Sequence, residues 1–203
     1  MCKTVKIFRH GETVWNKAGI LQGWLDSPLT ERGKQQAAVQ NFLPEVVYSS
    51  DLGRAHATAK LMFPANEIHT DASLREINLG NWQGKTISNL LHDRNYQTYI
   101  QRPERFTATT QETLQQVTAR MLDFIQSLIH RPENNIAIIS HGVAISCLNN
   151  ALQNKPLSTL WDGGLLTGGQ SITFRYDKNE WQIVSSGTCS KDHSDQYVYN
   201  REI

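Results

Sequence analysis

Apolar residues form short alternating or continuous runs that predict several buried strands. In the segment from Lys3 to Phe8, Val5 and Ile7 lie on one face and Phe8 adds apolar bulk to the other. Such a pattern is typical of a short strand buried on both faces. The other predicted strands are 46–49, 136–140 and, around a polar turn at 177–180, the hairpin partners 171–176 and 181–185.

Between these strands, apolar residues recur at helical spacing. The clearest case is 112–129, where Leu114, Val117, Met121 and Phe124 recur every three or four residues. A helix capped by Thr30 is predicted to run to about Phe42, before Pro44. The other predicted helices are 51–62 and a run that ends at about Leu152, whereas 71–85 is predicted to be a loop.

Strands and helices therefore alternate along most of the chain, which predicts an α/β fold with a largely parallel sheet. The closing hairpin would make that sheet mixed, within a three-layer sandwich. The sequence shows no internal repeat, low-complexity tract or linker-like change in composition. We therefore expect a single domain over residues 1–203.

Charge and hydropathy limit the partners. The 20 basic and 19 acidic residues give a formal net charge of +1, so no global field would attract nucleic acid or an anionic membrane. No apolar stretch has the length of a membrane span, and the first residues do not have the pattern of a secretory leader. These features predict a cytoplasmic protein that binds neither nucleic acid nor membrane.

Cysteine and histidine spacing gives no sign of a metal or a disulfide framework. Cys2, Cys147 and Cys189 are odd in number and widely separated, without a C-x-x-C pair, and we expect each to be buried. The seven histidines include no H-E-x-x-H motif or comparable ligand pair. We expect no metal and no cofactor.

Two predicted strands end in the same dipeptide. His10-Gly11 follows the first strand and His141-Gly142 follows the strand at 136–140. In open α/β sheets, sites form at the carboxyl ends of the strands, so both imidazoles would enter one crevice if these strands are neighbours. A half-buried residue at a strand end is the ordinary interpretation of either histidine alone, but its repetition favours a shared site.

Four ordered blocks of sequence closely resemble the histidine phosphatase, or phosphoglycerate mutase-like, superfamily, and they span residues 9–142. The first block is R-H-G-E-T at 9–13 with W-N at 15–16, Q-G-W at 22–24, Asp26, P-L-T at 28–30 and Gly33. The others are Y-S-S-D-L-G-R-A at 48–55 with T-A at 58–59, L-R-E at 74–76 with G-N-W-Q-G at 80–84, and S-H-G at 140–142. Such an ordered set is a specific signal.

This resemblance implies a role for each matching residue. His10 would be the nucleophile that accepts the phosphoryl group, and it must be neutral to attack. Arg9 and Arg54 would disfavour its protonation and bind the phosphoryl oxygens through paired, charge-assisted hydrogen bonds. The helix N-terminus near Arg54 would also favour the anion. His141 would donate to the same oxygens, with a positive charge in the transition state left open.

Glu76 resembles the proton donor for the leaving alkoxide in one branch of the family, because Gly142 occupies the position at which another branch carries an aspartate. An ordinary ion pair of Glu76 with Arg75 or Arg54 remains an alternative. Further contacts to the phosphate or the substrate are implied for Asn16, Gln22, Gly23 and Gly142, with solvated loop residues as the alternative for the first three.

The predicted function is hydrolysis of small-molecule phosphate monoesters through a phosphohistidine. Phosphoglycerate mutase-type transfer is the second possibility, although the chain between Trp82 and Glu112 lacks a recognisable basic insertion; Arg102 and Arg105 lie there. The opening motifs also resemble α-ribazole phosphatases of cobalamin assembly. A catalytically silent phosphopeptide-binding module is a further alternative. A homodimer and a role for the tail 190–203 are left open.

Overall fold

The computed structural model describes residues 2–187. The six strands of its one sheet are β1 (Lys3–Arg9), β2 (Val46–Ser49), β3 (Ile68–Thr70), β4 (Asn135–Ser140), β5 (Ser171–Asp177) and β6 (Glu180–Ser186). Their spatial order is β3-β2-β4-β1-β5-β6. The first four are parallel, whereas β5 and β6 are antiparallel to their neighbours. The mostly parallel mixed sheet predicted from the sequence is confirmed.

Seven α-helices surround this sheet in the described part of the chain. They are α1 (Val14–Lys17), α2 (Glu31–Gln36), α3 (Gly53–Met62), α4 (Ile87–Leu90), α5 (Arg94–Gln101), α6 (Leu114–Ser127) and α7 (Gly142–Leu152). Short 3-10 helices cover 72–74, 80–82, 103–105, 128–130 and 157–159. None of the described helices combines the length and the apolar character needed to cross a bilayer.

A separate apolar cluster lies on each face of the sheet, so the sheet is the middle layer between two layers of helices. On one face, Val5 and Ile7 pack with residues of α6 and α7 such as Met121 and Leu148. On the other face, Phe8 packs with residues that include those of α3. Opposite faces are used because successive strand side chains alternate.

Helix α2 is shorter than predicted. Thr30 is the N-cap as expected, its side chain accepting from the backbone N–H of Gly33, but the helix ends at Gln36 and not near Phe42. The Gln36 side chain accepts a hydrogen bond from the backbone N–H of Glu12 at 2.8 Å. The backbone carbonyl of Gln36 packs closely on Gly169: a Cβ on Gly169 would lie 2.2 Å from the carbonyl oxygen. The last residue of the helix is thus in contact with distant segments, which local spacing does not reveal.

Two further expectations need correction. The segment 71–85 is not all loop, since it contains two 3-10 helices, and the short edge strand β3 just before it was not predicted. Cys2, which precedes the first strand, is exposed and not buried as expected, whereas Cys147 is buried within α7 as expected. Cys189 and the tail 190–203 lie outside the described residues.

Candidate active site

The two histidines meet at the carboxyl edge of the sheet. Strands β1 and β4 are parallel neighbours in a register that pairs Arg9 with Ser140. Because each histidine directly follows its strand, the two ring centroids are 5.1 Å apart. His10 is 4% exposed and His141 is fully buried. The structure therefore brings together the pair that the repeated dipeptide suggested.

His10 is held in one tautomer by its own loop. Its Nδ1 lies 2.8 Å from the carbonyl oxygen of Gly11, which accepts a hydrogen bond from Nδ1–H, so the lone pair is on Nε2. Burial, and next to it the charges of Arg54 and Arg9, hold the pKa of His10 well below its ordinary value. The imidazole is therefore neutral near pH 7, as a nucleophile requires.

His141 has no hydrogen-bond partner within residues 2–187 for either ring nitrogen. Burial, followed by the charges of Arg54, His10 and Arg120, lowers its pKa well below the ordinary value. The resting imidazole is therefore a neutral group that carries one N–H. Such a buried donor is costly unless a ligand takes up the hydrogen bond.

Arg54 is committed mainly to protein acceptors. Its Nη1 donates to the carbonyl of Leu25 at 2.8 Å and to Oδ1 of Asp26 at 3.0 Å, and its Nη2 donates to the carbonyl of Gly23 at 2.8 Å. Its Nε lies 3.3 Å from Nε2 of His10. In this state only one N–H of the guanidinium has no acceptor in the described part of the chain. Binding of phosphoryl oxygens by Arg54 stays a prediction, and it would use that N–H or exchange one of these contacts.

Asp26 also occupies the N-terminus of α3. Both of its carboxylate oxygens lie within 3.3 Å of the backbone N–H of Arg54. A Cβ at Gly53 would lie 2.3 Å from Oδ2 of Asp26, so the close approach needs glycine there. The expectation that this helix end would favour a substrate anion is corrected, because a carboxylate of the protein is already there.

Arg9 is the last residue of β1, and its side chain lies in the site. Its Nη1 donates to the carbonyl of Leu166 at 2.6 Å. A Cβ at Gly142 would lie 3.0 Å from Leu165 and 3.4 Å from Nε of Arg9. The missing side chain at Gly142 thus gives room to Arg9 and to the segment that orients it, and a direct contact of Gly142 with phosphate stays a prediction.

Glu76 lies at the N-terminus of α7. Its Oε1 accepts from the backbone N–H groups of Ile77 and Ala144, each at 3.0 Å, and its Oε2 accepts from that of Val143 at 3.2 Å. Arg75, considered as an ion-pair partner, binds Asp51 in a bidentate pair instead. Oε1 has two hydrogen bonds and Oε2 has one, so Oε2 is the oxygen that still has room for a proton or a substrate.

The three remaining predicted residues line the same region. Asn16 uses its Oδ1 to accept from the backbone N–H and the hydroxyl of Thr13, at 3.1 and 2.9 Å. Gln22 is buried with no partner for Oε1 in the described chain. Gly23 has a φ of +54°, and a Cβ there would lie 2.3 Å from Oε1 of Gln83. Their contacts with a ligand stay predictions.

Some supporting residues were not given roles from the sequence. Thr58 accepts from the N–H of Gly11 at 3.0 Å and donates to the carbonyl of Arg54 at 2.8 Å. Asp26 and Thr58 lie within the matched motifs, so the motifs were the signal that could have found them. Arg120, which binds the carbonyl of Glu76 at 3.0 Å, lies on the polar side of an ordinary amphipathic helix and gave no signal.

A narrow cleft of about 100 Å³ leads to this cluster. Its arginine, histidine and glutamate lining residues all belong to the cluster described above: Arg9, His10, Arg54 and Glu76. The rest of the wall is mainly apolar: Ile20, Leu21, Ile77, Leu79, Ile87, Tyr96, Tyr99, Ile100, Val143 and Leu165. Over residues 2–187, no group of three or more His, Cys, Asp or Glu side chains is arranged to hold a metal ion.

The fold is thus an α/β fold whose mostly parallel sheet has two imidazoles and two guanidiniums buried at its carboxyl edge. The model of the histidine phosphatase superfamily, branch 1, matches residues 5–188, so the chain belongs to that superfamily.

Proteins similar to the chain include a probable mutase and a phosphatase. The chain is 32% identical over 193 residues to the "Probable phosphoglycerate mutase GpmB" of Escherichia fergusonii, which covers 90% of this chain and 88% of that protein. Among solved structures, YhfR of Bacillus stearothermophilus is 32% identical, with a TM-score of 0.86 over 93% of this chain and 98% of the other. The phosphoserine phosphatase of Entamoeba histolytica is 26% identical, with a TM-score of 0.80 over 92% and 97%.

Proposed function

We propose that this protein hydrolyses phosphate monoesters of small molecules through a phosphohistidine on His10. The observation that carries the proposal is the state of His10, a buried, neutral imidazole whose Nδ1 is bound to Gly11 and whose Nε2 lone pair faces Arg54. Phosphate esters resist uncatalysed hydrolysis more than almost any other biological bond, so a site needs both a nucleophile and cations for the equatorial oxygens. Arg54, whose Nε lies 3.3 Å from Nε2, and Arg9 supply the cations, and the neutral His141 ring, 5.1 Å from that of His10, supplies a further hydrogen-bond donor.

In the first step, Nε2 of His10 attacks the phosphorus, so the N–P bond forms as the bond to the leaving oxygen breaks. Glu76, protonated on Oε2, gives its proton to that oxygen, and the alcohol leaves. In the second step, Glu76 takes a proton from a water molecule that attacks the phosphorus. The N–P bond breaks, inorganic phosphate is released, and Glu76 is again protonated. His141 donates its N–H to a phosphoryl oxygen throughout.

The direct test is to trap the phosphoenzyme. Rapid quenching of the wild type with a ³²P-labelled aryl phosphate should give a phosphoprotein that is labile in acid and stable in base. His10→Ala should abolish both the label and the turnover while the circular dichroism spectrum is retained. Turnover by His10→Ala at more than about one thousandth of the wild-type rate would remove His10 from this role.

Phosphoglycerate mutase-type transfer is the second candidate, because a relative named as a probable phosphoglycerate mutase matches this chain over 88% of its length. A mutase needs cations for the substrate carboxylate, yet beyond Arg9 and Arg54 the lining of the cleft contains no arginine or lysine. Arg105 is exposed and lies beside Glu104. Isomerisation of 3-phosphoglycerate, measured with 2,3-bisphosphoglycerate as the primer, should be negligible beside hydrolysis of aryl esters.

An α-ribazole phosphatase activity remains a candidate for the specific substrate, since the α-ribazole phosphatase of Shigella flexneri is 25% identical with a TM-score of 0.80. A screen of phosphorylated metabolites tests it. The proposal further includes a cytoplasmic location, no nucleic-acid or membrane partner and no need for a metal. Full turnover after dialysis against EDTA is the expected result, and loss of turnover that Mg²⁺ or Zn²⁺ restores would contradict it.

A further inference from the structure

Arg120 of α6 binds the segment that carries Glu76. Its Nη1 donates to the carbonyl oxygens of Ser73 at 2.7 Å and Arg75 at 2.6 Å. Its Nη2 donates to the carbonyl of Glu76 itself at 3.0 Å. One guanidinium therefore holds three carbonyl groups within four consecutive residues, a span that ends at the predicted proton donor.

The other donors of Arg120 bind Glu112. Nε lies 2.7 Å from Oε1 of Glu112 and Nη2 lies 3.0 Å from Oε2. With these contacts all five N–H groups of the guanidinium have acceptors. The two side chains are only 17% and 14% exposed, so water competes little for this pair. Lysine has three donors on one atom and cannot reproduce the arrangement.

Glu112 connects Arg120 to the backbone just after Glu76. Its Oε2 also accepts from the backbone N–H of Asn78 at 3.1 Å, and its own N–H donates to the carbonyl of Asn78 at 2.8 Å. On the other side, Nε1 of Trp24 donates to the carbonyl of Glu76 at 2.8 Å. The backbone of 73–78 is thus fixed on both sides of Glu76 by groups that do not line the cleft.

This matters because the Glu76 carboxylate is placed by its own backbone. Its Oε1 and Oε2 reach the N–H groups of Ala144 and Val143 at hydrogen-bonding distance only when the main chain at 76 is held against the start of α7. A displacement of the reacting group by about 1 Å can cost roughly a hundredfold in rate. We propose that Arg120, paired with Glu112, is a positioning residue that sets Oε2 of Glu76 for proton transfer to the leaving group.

The inference rests on the proposed role of Glu76, and a double-mutant cycle tests both. kcat/KM is measured for 4-nitrophenyl phosphate, whose leaving group needs no proton, and for phenyl phosphate, whose leaving group does. Because general acid catalysis is worth about 10²- to 10⁴-fold, Glu76→Gln should slow phenyl phosphate by at least about a hundredfold more than 4-nitrophenyl phosphate. Arg120→Gln should show the same selectivity at about tenfold or more.

In the Glu76→Gln background, Arg120→Gln should change the ratio of the two substrates by less than about twofold, since the group through which it acts is already lost. Equal slowing of both esters by Arg120→Gln, or a full additional effect in the double variant, would overturn the inference. An unselective effect of Glu76→Gln would overturn the acid role instead, so the two failures are distinct.

Two further variants separate positioning from stability. Arg120→Lys keeps the charge and part of the pairing with Glu112. Its ratio of kcat/KM values for the two esters should therefore lie between those of the wild type and Arg120→Gln. If Arg120→Gln does not fold, Arg120→Lys takes its place in the test. Ile125→Val removes a methyl group from a fully buried residue of the same helix. It should lower the thermal midpoint and leave the substrate ratio unchanged. A changed ratio in Ile125→Val would count against Arg120 as a specific positioning residue.

Discussion

The guanidinium of Arg54 donates from Nε to Nε2 of His10 across 3.3 Å, so in this structure the lone pair of the predicted nucleophile is covered by a cation. The contact sets the charge state of the imidazole, because after burial Arg54 is the largest cause of the lowered pKa of His10. A phosphoryl group that reaches Nε2 must take over this donor. Under the proposed function, we expect the hydrogen bond to pass from the nitrogen to a phosphoryl oxygen as the substrate binds.

Arg54→Lys should lower kcat/KM for 4-nitrophenyl phosphate by about 10²- to 10³-fold, the usual cost of losing one donor to developing negative charge. Lysine keeps the charge but cannot bind Gly23, Leu25, Asp26 and His10 at once. The control is Arg75→Lys, which changes a bidentate pair with Asp51 outside the cleft lining and should cost less than about threefold. Comparable losses in both variants would mean that the fork of Arg54 has no special role.

Stability should fall in mild acid because of the two site histidines. Burial first, and then neighbouring cations, hold the pKa values of His10 and His141 well below the ordinary value. In the unfolded chain each imidazole takes up a proton near pH 6.5, so below that pH the unfolded state binds more protons and the free energy of unfolding decreases. Each histidine contributes up to about 1.4 kcal/mol per pH unit in this range.

Urea unfolding of the wild type between pH 7 and pH 5 measures this slope. In His141→Asn the free energy of unfolding should change less steeply with pH, by up to about 1.4 kcal/mol per pH unit, the equivalent of one proton. At pH 5 the free energy of unfolding of the variant should approach or exceed that of the wild type. Stability is fully retained only well above pH 6.5, where both imidazoles are neutral in the folded and unfolded states. An unchanged slope in the variant would show that His141 titrates normally in the folded protein.

The apolar wall of the cleft predicts selectivity for the leaving group. Burying one methylene group contributes about 0.8 kcal/mol, which corresponds to roughly a fourfold change. For the series from ethyl to pentyl phosphate, kcat/KM should therefore rise by up to about fourfold per methylene until the cleft is filled. Serine phosphate, whose charged groups meet no further arginine or lysine in the lining, should react more slowly than butyl phosphate. A flat series, or faster turnover of serine phosphate, would contradict this prediction.

The strands that carry the site could be predicted from the sequence, because alternating and continuous apolar runs are patterns of neighbouring residues and are visible without the fold. The positions of His10 and His141 then followed from the strand ends. By contrast, Gln36 at the end of α2 contacts Gly169, far along the chain, and the guanidinium of Arg54 donates to Asp26, 28 residues before it. Local patterns carry no information about such pairs, so the orienting contacts became visible only with the fold.

Thr58 offers a test of how tightly the loop around His10 must be held. Its buried hydroxyl accepts from the N–H of Gly11 and donates to the carbonyl of Arg54, so it joins the nucleophile's loop to α3. Thr58→Val keeps the shape but leaves the N–H of Gly11 unpaired, which should cost about 1–3 kcal/mol of unfolding free energy.

The same change should lower kcat, because the carbonyl of Gly11 holds Nδ1 of His10 and fixes its tautomer. Thr58→Ser keeps the hydroxyl and should stay near wild type in rate, with only the loss of a buried methyl group in stability. Urea unfolding and steady-state kinetics on 4-nitrophenyl phosphate compare the two variants. If Thr58→Val and Thr58→Ser had equal kcat values, the hydroxyl would not be what holds the His10 loop in its reactive geometry.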